Sequence, residues 1–356
     1  MFKFLKGFGS LLKNEIAIDL GTSSTLIYVK GKGIVIDEPS VVSVDLYTGK
    51  TISCGAEAKR MLGKTPETVV AKRPMKDGVI ADFEMVQEMI IYLLNKVLEK
   101  NLFVRPVVLI AVPSGITDVE RRAVRDAAIL AGVQKVHMVA EPVASAVGLG
   151  LPIEEPVGNM VIDIGGGTTE IAVISLSGIV VNKSIRIAGD EMDEAISSYI
   201  REKYRVAIGE QTAEEIKINL GNAFPTFPEE KIEVRGRDLV SGTPKTIEIS
   251  STEVRNALRG VLNEIVFTLK KALEQTPPEL LSDIIDRGIY LTGGGSMLKG
   301  LADLLMEEIN ILIKTTEHPR NCVVLGAGKI LENLDKYNQI LIASSKTMVK
   351  RTEFID

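Results

Sequence analysis

The 356-residue sequence has no tryptophan, and its nine phenylalanines and seven tyrosines amount to only 4% aromatic content. No aromatic–basic clusters are available to stack on bases, and the formal net charge of −5 also argues against nucleic acid as a partner. Cysteine is nearly absent: Cys54 and Cys322 stand far apart, with no CxxC pair. With His137 and His318 as the only histidines, the residues argue against a metal cluster. So few cysteines fit a reducing cytoplasm. No apolar run reaches the ~18–20 residues that span a bilayer. What remains is ordinary globular composition, 45% hydrophobic and 25% charged, in a chain long enough for two or more lobes.

Glycine carries the positive signal. Ala17–Val29 reads AIDLGTSSTLIYV and Val161–Val173 reads VIDIGGGTTEIAV. Ile18, Asp19, Gly21, Thr25 and Val29 align with Ile162, Asp163, Gly165, Thr169 and Val173. Each copy predicts a β-hairpin whose tip presents bare backbone N–H groups. A lone glycine triplet needs no more explanation than a tight turn. Two facing tips, each with a carboxylate at its base, can clamp a polyphosphate and hold Mg²⁺ between them; two carboxylates at strand ends could instead merely cap turns, but as a symmetric pair they fit metal work better. A third glycine run, Gly293–Gly295, follows the apolar Ile289–Leu291 and precedes a helix predicted from Met297.

The remaining pattern repeats one plan. A β-rich, glycine-punctuated stretch, roughly Gly31–Ile80, precedes helical periodicity over Asp82–Lys100. Val107–Val112 is a continuous apolar run, as in a buried parallel strand. Thr117 starts a helix that runs to Ala131, and a strand at Lys135–Val139 leads into Glu141–Pro142 and an Ala-rich helix, Val143–Leu149. That helix suits close packing between lobes. In the second half come a strand near Val180–Ile187, a helical insert from Asp190 to about Phe224, a β-rich piece to Ile249 and a helix over Ser251–Gln275. Each half reads as a hairpin-led, mostly parallel sheet with helices and an insertion, which implies duplication around a cleft.

The first thirteen residues, MFKFLKGFGSLLK, set Phe4, Leu5, Phe8, Leu11 and Leu12 on one helical face and lysines on the other. Such a segment reads as an amphipathic helix lying in an anionic membrane surface. A helix packed on its own domain is the alternative.

In order and content, these motifs resemble the actin, Hsp70 and sugar-kinase superfamily. Within it, RPMKDGVIADFE (73–84), VPSGITDVERRA (112–123), IAGDEMDEAI (187–196), IEVRGRDLVSGTPKTIEI (232–249) and TPPEL (276–280) resemble the MreB family of bacterial actin homologues, over nearly all of Asn14–Leu334. The resemblance implies an α/β, duplicated actin-like (ribonuclease H-like) ATPase fold, two lobes each with a mixed five-stranded sheet and an inserted subdomain. The implied boundaries are 14–30, 81–155 and 320–340 for subdomain IA, 31–80 for IB, 156–190 and 251–319 for IIA, and 191–250 for IIB. Residues 1–13 are the membrane helix, and the tail at 341–356 has no assignment.

Carried over position by position, Gly21, Thr22, Ser23 and Ser24 hold the β-phosphate side of ATP, and Gly165, Gly166, Gly167 and Thr168 hold the γ-phosphate. Asp19 and Asp163 reach Mg²⁺ through its water shell. Glu141 orients the attacking water, with Thr168 assisting and Asp163 beside them; read alone, Glu141 is also a plain acid at a helix start. Gly293, Gly294, Gly295, Ser296 and Met297 let an adenosine lie flat. Glu214 and Lys217 resemble the ribose and adenine contacts, though their spacing alone gives only a surface ion pair. The first loop has no lysine where actin has one, which implies modest hydrolysis. Ala140 replaces the first of two acids common in relatives.

Leu102 and Phe103 match a loop that dips into the membrane in the family. The resemblance thus implies a slow ATPase that forms antiparallel double protofilaments on the inner face of the plasma membrane. Cell-wall elongation with RodZ, MreC, MreD and the RodA–transpeptidase pair would be its task. A sugar-type kinase would need a catalytic Asp beside the second hairpin, where none is seen. An Hsp70-like chaperone would need a β-domain beyond this sequence.

Overall fold

The computed structural model describes residues 15–98, 106–225 and 228–342. The expected membrane residues Phe4, Leu5, Phe8, Leu11, Leu12, Leu102 and Phe103 lie outside the described residues. No described helix is long and apolar enough to cross a membrane.

Lobe I is built on a meander of β1 (Glu15–Leu20), β2 (Ser24–Val29) and β3 (Gly33–Pro39). An insertion follows, with β4 (Val42–Asp45), β5 (Thr51–Cys54) and β6 (Val69–Lys72) in one small sheet and β7 (Met75–Lys76) and β8 (Val79–Ile80) in a hairpin. The chain then returns through the helix Phe83–Val97 to β9 (Val107–Val112) and β10 (Lys135–Ala140), giving a sheet of order β10-β9-β1-β2-β3. Asp82 caps the helix by accepting from the Met85 N–H at 3.1 Å, and Thr117 and Glu120 form a capping box at the helix Asp118–Leu130. In β9, Val108–Val112 are all buried, as the apolar run requires.

Lobe II repeats this with β11 (Asn159–Ile164), β12 (Thr169–Ser175) and β13 (Gly178–Ile185). Its insertion holds the helices Gly189–Tyr204 and Glu210–Leu220 and a sheet of β14 (Val206–Ala207), β15 (Lys231–Asp238) and β16 (Pro244–Ser250). The helix Ser251–Gln275, opened by a Ser250–Glu253 capping box, leads back to β17 (Ile289–Thr292) and β18 (Ile313–Lys314). The sheet order, β13-β12-β11-β17-β18, is that of lobe I with each strand replaced by its counterpart.

Two expectations are corrected. The sheets are mixed, as the resemblance implies, rather than mostly parallel, as the residue pattern alone reads: β2 and β12 run antiparallel to both of their neighbours, while β1 pairs parallel with β9 and β11 with β17. No α-helix starts at Met297: Gly295–Met297 is a single 3₁₀ turn, and Gly300, at φ +71°, breaks the chain before the helix Leu301–Ile309.

Each lobe has its own core, and a third apolar cluster joins them. It takes Ala17, Leu109 and Val139 from one sheet and Val161, Ala172 and Ile174 from the other, around the helices Glu141–Gly148 and Cys322–Glu332. Those helices meet backbone to backbone: a Cβ on Gly326 would lie 1.7 Å from the Ala144 carbonyl oxygen. At the far side of lobe I, the Ile342 N–H donates to the Met138 carbonyl at 2.9 Å, so the chain leaves along the edge of β10.

Candidate functional site

Both hairpins aim their tips into the space between the lobes. A Cβ built on Gly166 would lie 2.5 Å from the Ser23 Cβ, and one on Gly167 would lie 2.8 Å from Thr22 Oγ1. None of Gly21, Gly165, Gly166 and Gly167 has a positive φ. Close approach, not left-handed backbone, is what demands glycine at 166 and 167, and within the first hairpin at Gly21, whose Cβ position lies 2.7 Å from the Ser24 carbonyl oxygen. Gly293 differs, with φ +87° and its Cβ position 2.4 Å from an Asp163 carboxylate oxygen.

Between the tips lies a cleft of about 690 Å³, within the range of small-molecule sites. Gly21, Thr22, Ser23 and Ser24 line one wall and Gly165, Gly166, Gly167 and Thr168 the other. Asp19, Glu141 and Asp163 reach its floor, Glu214 and Lys217 its side, and Gly293, Gly294, Gly295 and Met297 its far end. Ser296 is not among the lining residues; its hydroxyl turns back to the Gly293 carbonyl at 2.6 Å. Thr22 is turned as well, accepting the Gly78 N–H at 3.0 Å. Glu214 and Lys217 are not paired with each other. Lys217 donates to Asp193 and to the Gly189 carbonyl, at 2.8 and 2.7 Å. Glu214 pairs at 2.6 Å with Lys59 of the other lobe.

Register explains the floor. Asp19 is the penultimate residue of β1, opposite Leu26, and Asp163 the penultimate residue of β11, opposite Glu170 and beside Thr292 of β17. Glu141 opens the helix Glu141–Gly148, and Ser145, one turn on and on the same face, donates to Asp163 at 2.9 Å. Three carboxylates converge where water is scarce. Burial, then Asp163, lifts the Asp19 carboxyl to about 8 against the pull of Arg320. Burial lifts Asp163 to about 6, against hydrogen bonds from Ser145 and Thr292. Burial, then Asp19, Glu170 and Asp163, holds Glu141 well above the usual range.

A carboxyl raised in the folded state contributes stability at low pH and loses it as pH rises through the folded value. The ligand-free protein is therefore expected to melt at progressively lower temperature from pH 5 to pH 8, a slope that asparagine at Asp19 should flatten in a thermal-denaturation series.

No group of three His, Cys, Asp or Glu among the described residues is arranged to ligate a metal directly. The crowded, buried carboxylates nevertheless suit a dication that keeps its waters, which is the habit of Mg²⁺. Sequence reasoning named Lys217 but missed the other cations that line the cleft. Arg320 pairs with Asp37 at 2.7 Å, and Lys59 and Lys299 also border it. Nor did it find the mouth, where the lobes are bridged. Arg73 Nε donates to Glu210 at 2.7 Å, and Gln211 donates to the Lys59 carbonyl. Arg73 Nη1 stays buried without a partner. These contacts join residues more than a hundred positions apart, and no local pattern announces them.

The sequence profile of the family described as MreB/Mbl protein matches residues 13–339. The chain is 50% identical over 326 residues to cell shape-determining protein Mbl of Bacillus subtilis (strain 168), spanning 92% of this chain and 98% of Mbl. It is 50% identical over 339 residues to cell shape-determining protein MreB of Escherichia coli (strain K12), spanning 94% and 97%. The crystal structure of MreB5 of Spiroplasma citri bound to AMPPNP superposes with a TM-score of 0.87 at 37% identity, over 92% of this chain and 98% of that one. The ADP-bound form gives 0.86 at 38%, with the same coverage.

Proposed function

The chain belongs to the MreB/Mbl family and has its actin-like fold, and from that premise we propose that it is a slow ATPase whose nucleotide state governs its assembly into filaments. The observation that carries this reading is the pair of glycine-tipped loops facing each other across one cleft, with Asp19, Glu141 and Asp163 at its floor. Relatives named for cell shape, and a neighbour crystallised with ADP and with AMPPNP, support it.

In this reading the backbone N–H groups of 21–24 and 165–168 hold the phosphates, with Gly166 and Gly167 at positions where a side chain would collide with the opposite loop. Asp19 and Asp163 would hold Mg²⁺ through its hydration shell, and the ion would neutralise phosphate charge. Glu141 orients the attacking water and accepts its proton, the role of a positioned general base. Thr168 positions the same water. The adenosine lies against Gly293–Gly295, with Glu214 and Lys217 beside it. The bridge of Lys59 and Arg73 to the helix Glu210–Leu220 excludes solvent from above.

The inserted subdomains, 31–80 and 191–250, close over the nucleotide, and the closed form joins its neighbours in antiparallel double protofilaments. Membrane association through residues 1–13 and 102–103, work on the inner face of the plasma membrane with RodZ, MreC and MreD, and a role in wall elongation complete the proposal. Weak anchors repeated along a filament would add by avidity.

Sedimentation with and without MgATP, in solution and on anionic liposomes, tests the assembly claim. ATP-dependent pelleting with inorganic phosphate released into solution supports it; transfer of phosphate to a sugar would replace it with the kinase alternative. Glu210→Lys is expected to speed release of a fluorescent ATP analogue about three- to tenfold, since the bridge is partly exposed yet leaves a buried guanidinium unpaired when broken. An unchanged release rate would show that the bridge does not gate the cleft.

A further inference from the structure

The duplication exposes one residue that breaks its own symmetry. Leu26 follows Thr25 in β2, and Glu170 follows the aligned Thr169 in β12. In the ladders, Leu26 lies opposite Asp19 and Glu170 opposite Asp163. Leu26 is 2% exposed and Glu170 1%. An apolar side chain is what such a position selects, and an ionisable one costs desolvation unless donors surround it. Three surround Glu170. Its Oε2 accepts from the Ser114 backbone N–H at 3.0 Å and faces the Ser114 hydroxyl, whose single proton it shares with Asn182 Oδ1 at 2.7 Å, and its Oε1 accepts from the Ser184 hydroxyl.

Ser184 is the ladder neighbour of Glu170 on β13, within lobe II. Ser114 belongs to lobe I, on the loop that leaves β9. A Cβ on Gly115 would lie 3.1 Å from the Ser184 Cβ, so the loop is pressed against the other lobe. Beside this contact, a Cβ on Gly78 would lie 2.7 Å from Thr168 Cγ2 and 3.0 Å from Pro113 Cγ. The clasp therefore stands immediately behind the hairpin tip that carries Thr168. The Glu170 charge also acts on Glu141, helping to raise its carboxyl.

We propose that Glu170, by clasping Ser114 across the lobe boundary, is a positioning residue that registers lobe I against the second hairpin tip and so couples cleft closure to hydrolysis. The proposal rests on the ATPase reading above. Glu170 acts through Ser114 and Thr168 rather than on the nucleotide. Leucine fills the twin position in lobe I, so the ladder itself does not require a carboxylate there.

Installing the twin's side chain in the full-length protein tests this. Glu170→Leu is expected to melt at or above the parent temperature, since a buried charge is replaced by an apolar group. Its ATP affinity should stay within about threefold, while phosphate release at saturating MgATP falls about tenfold or more, a loss in kcat and not in KM. Ser114→Ala should lower kcat in the same sense, and the double variant should be no slower than Glu170→Leu alone. Glu170→Gln, which keeps the shape and one acceptor, should recover part of the rate.

Parent-like turnover in Glu170→Leu overturns the proposal. So does a rate loss that merely follows the loss of folded protein in all three single variants, or fully additive effects of Ser114→Ala and Glu170→Leu. A parent chain that binds no ATP overturns the ATPase reading and the clasp together; a parent that turns over and is matched by Glu170→Leu overturns the clasp alone.

Discussion

Replacing Glu141 with alanine is expected to leave ATP bound within about twofold of the parent and to slow phosphate release by about 10²-fold or more. The residue lies at the floor of the cleft, at the start of the helix Glu141–Gly148, beside Asp19 and Asp163. In-line attack on a γ-phosphate needs a positioned water more than it needs covalent chemistry, and one acceptor can supply that. Binding survives because the phosphates rest on backbone groups of the two tips. Removing one of three crowded carboxylates relieves repulsion, so the nucleotide-free variant should be at least as stable as the parent. Single-turnover phosphate release, measured beside nucleotide affinity, separates these effects. Parent-like turnover in the alanine variant would remove Glu141 from the mechanism.

Gly166→Val is expected to weaken ATP binding by about 10²-fold, on the scale of one lost set of charge-assisted phosphate contacts. Even the first side-chain carbon would fall 2.5 Å from the Ser23 Cβ and 3.1 Å from the Ser23 backbone nitrogen. The tips must then part, and a triphosphate no longer reaches both. The lobes themselves, each with a separate core, should keep their melting behaviour without ligand. Gly260→Ala is the control. It lies within the helix Ser251–Gln275 with nothing within 4 Å of its Cβ position, and alanine there should add about 0.5–1 kcal/mol of stability without touching affinity. Isothermal titration of both variants decides the point; tight binding by Gly166→Val would mean that the tips do not share a ligand.

Much of the fold was legible because it is local. An apolar run marks β9, and the helix Ser251–Gln275 stands at its expected bounds. Asp82 and Thr117 announce their helices through capping chemistry that operates within four residues. The repeated hairpins gave both the duplication and the lining of the cleft. Where local signals mislead, tertiary needs have intervened. The helix expected from Met297 yields to a 3₁₀ turn because Gly300 adopts a left-handed backbone. Gly166 and Gly167 serve close approach between lobes, which only the folded pair reveals.

The partners of the site residues were the illegible part. Ser145 supports Asp163 from a different element, and the link is visible in sequence only as a position one turn beyond Glu141. Lys59, Arg73 and Arg320 meet acids that lie between about 137 and 283 positions away, at distances that no spacing rule covers. Even Glu214 and Lys217, assigned as neighbours on one helix face, turn to separate partners in Lys59 and Asp193.

A crystal grown with Mg–AMPPNP would put the central claim to its plainest trial. The account predicts density for the triphosphate enclosed by residues 21–24 on one side and 165–168 on the other, with the purine resting on Gly293–Gly295. Nucleotide found outside that gap, or contacted by one loop while the other stands clear of it, would contradict it.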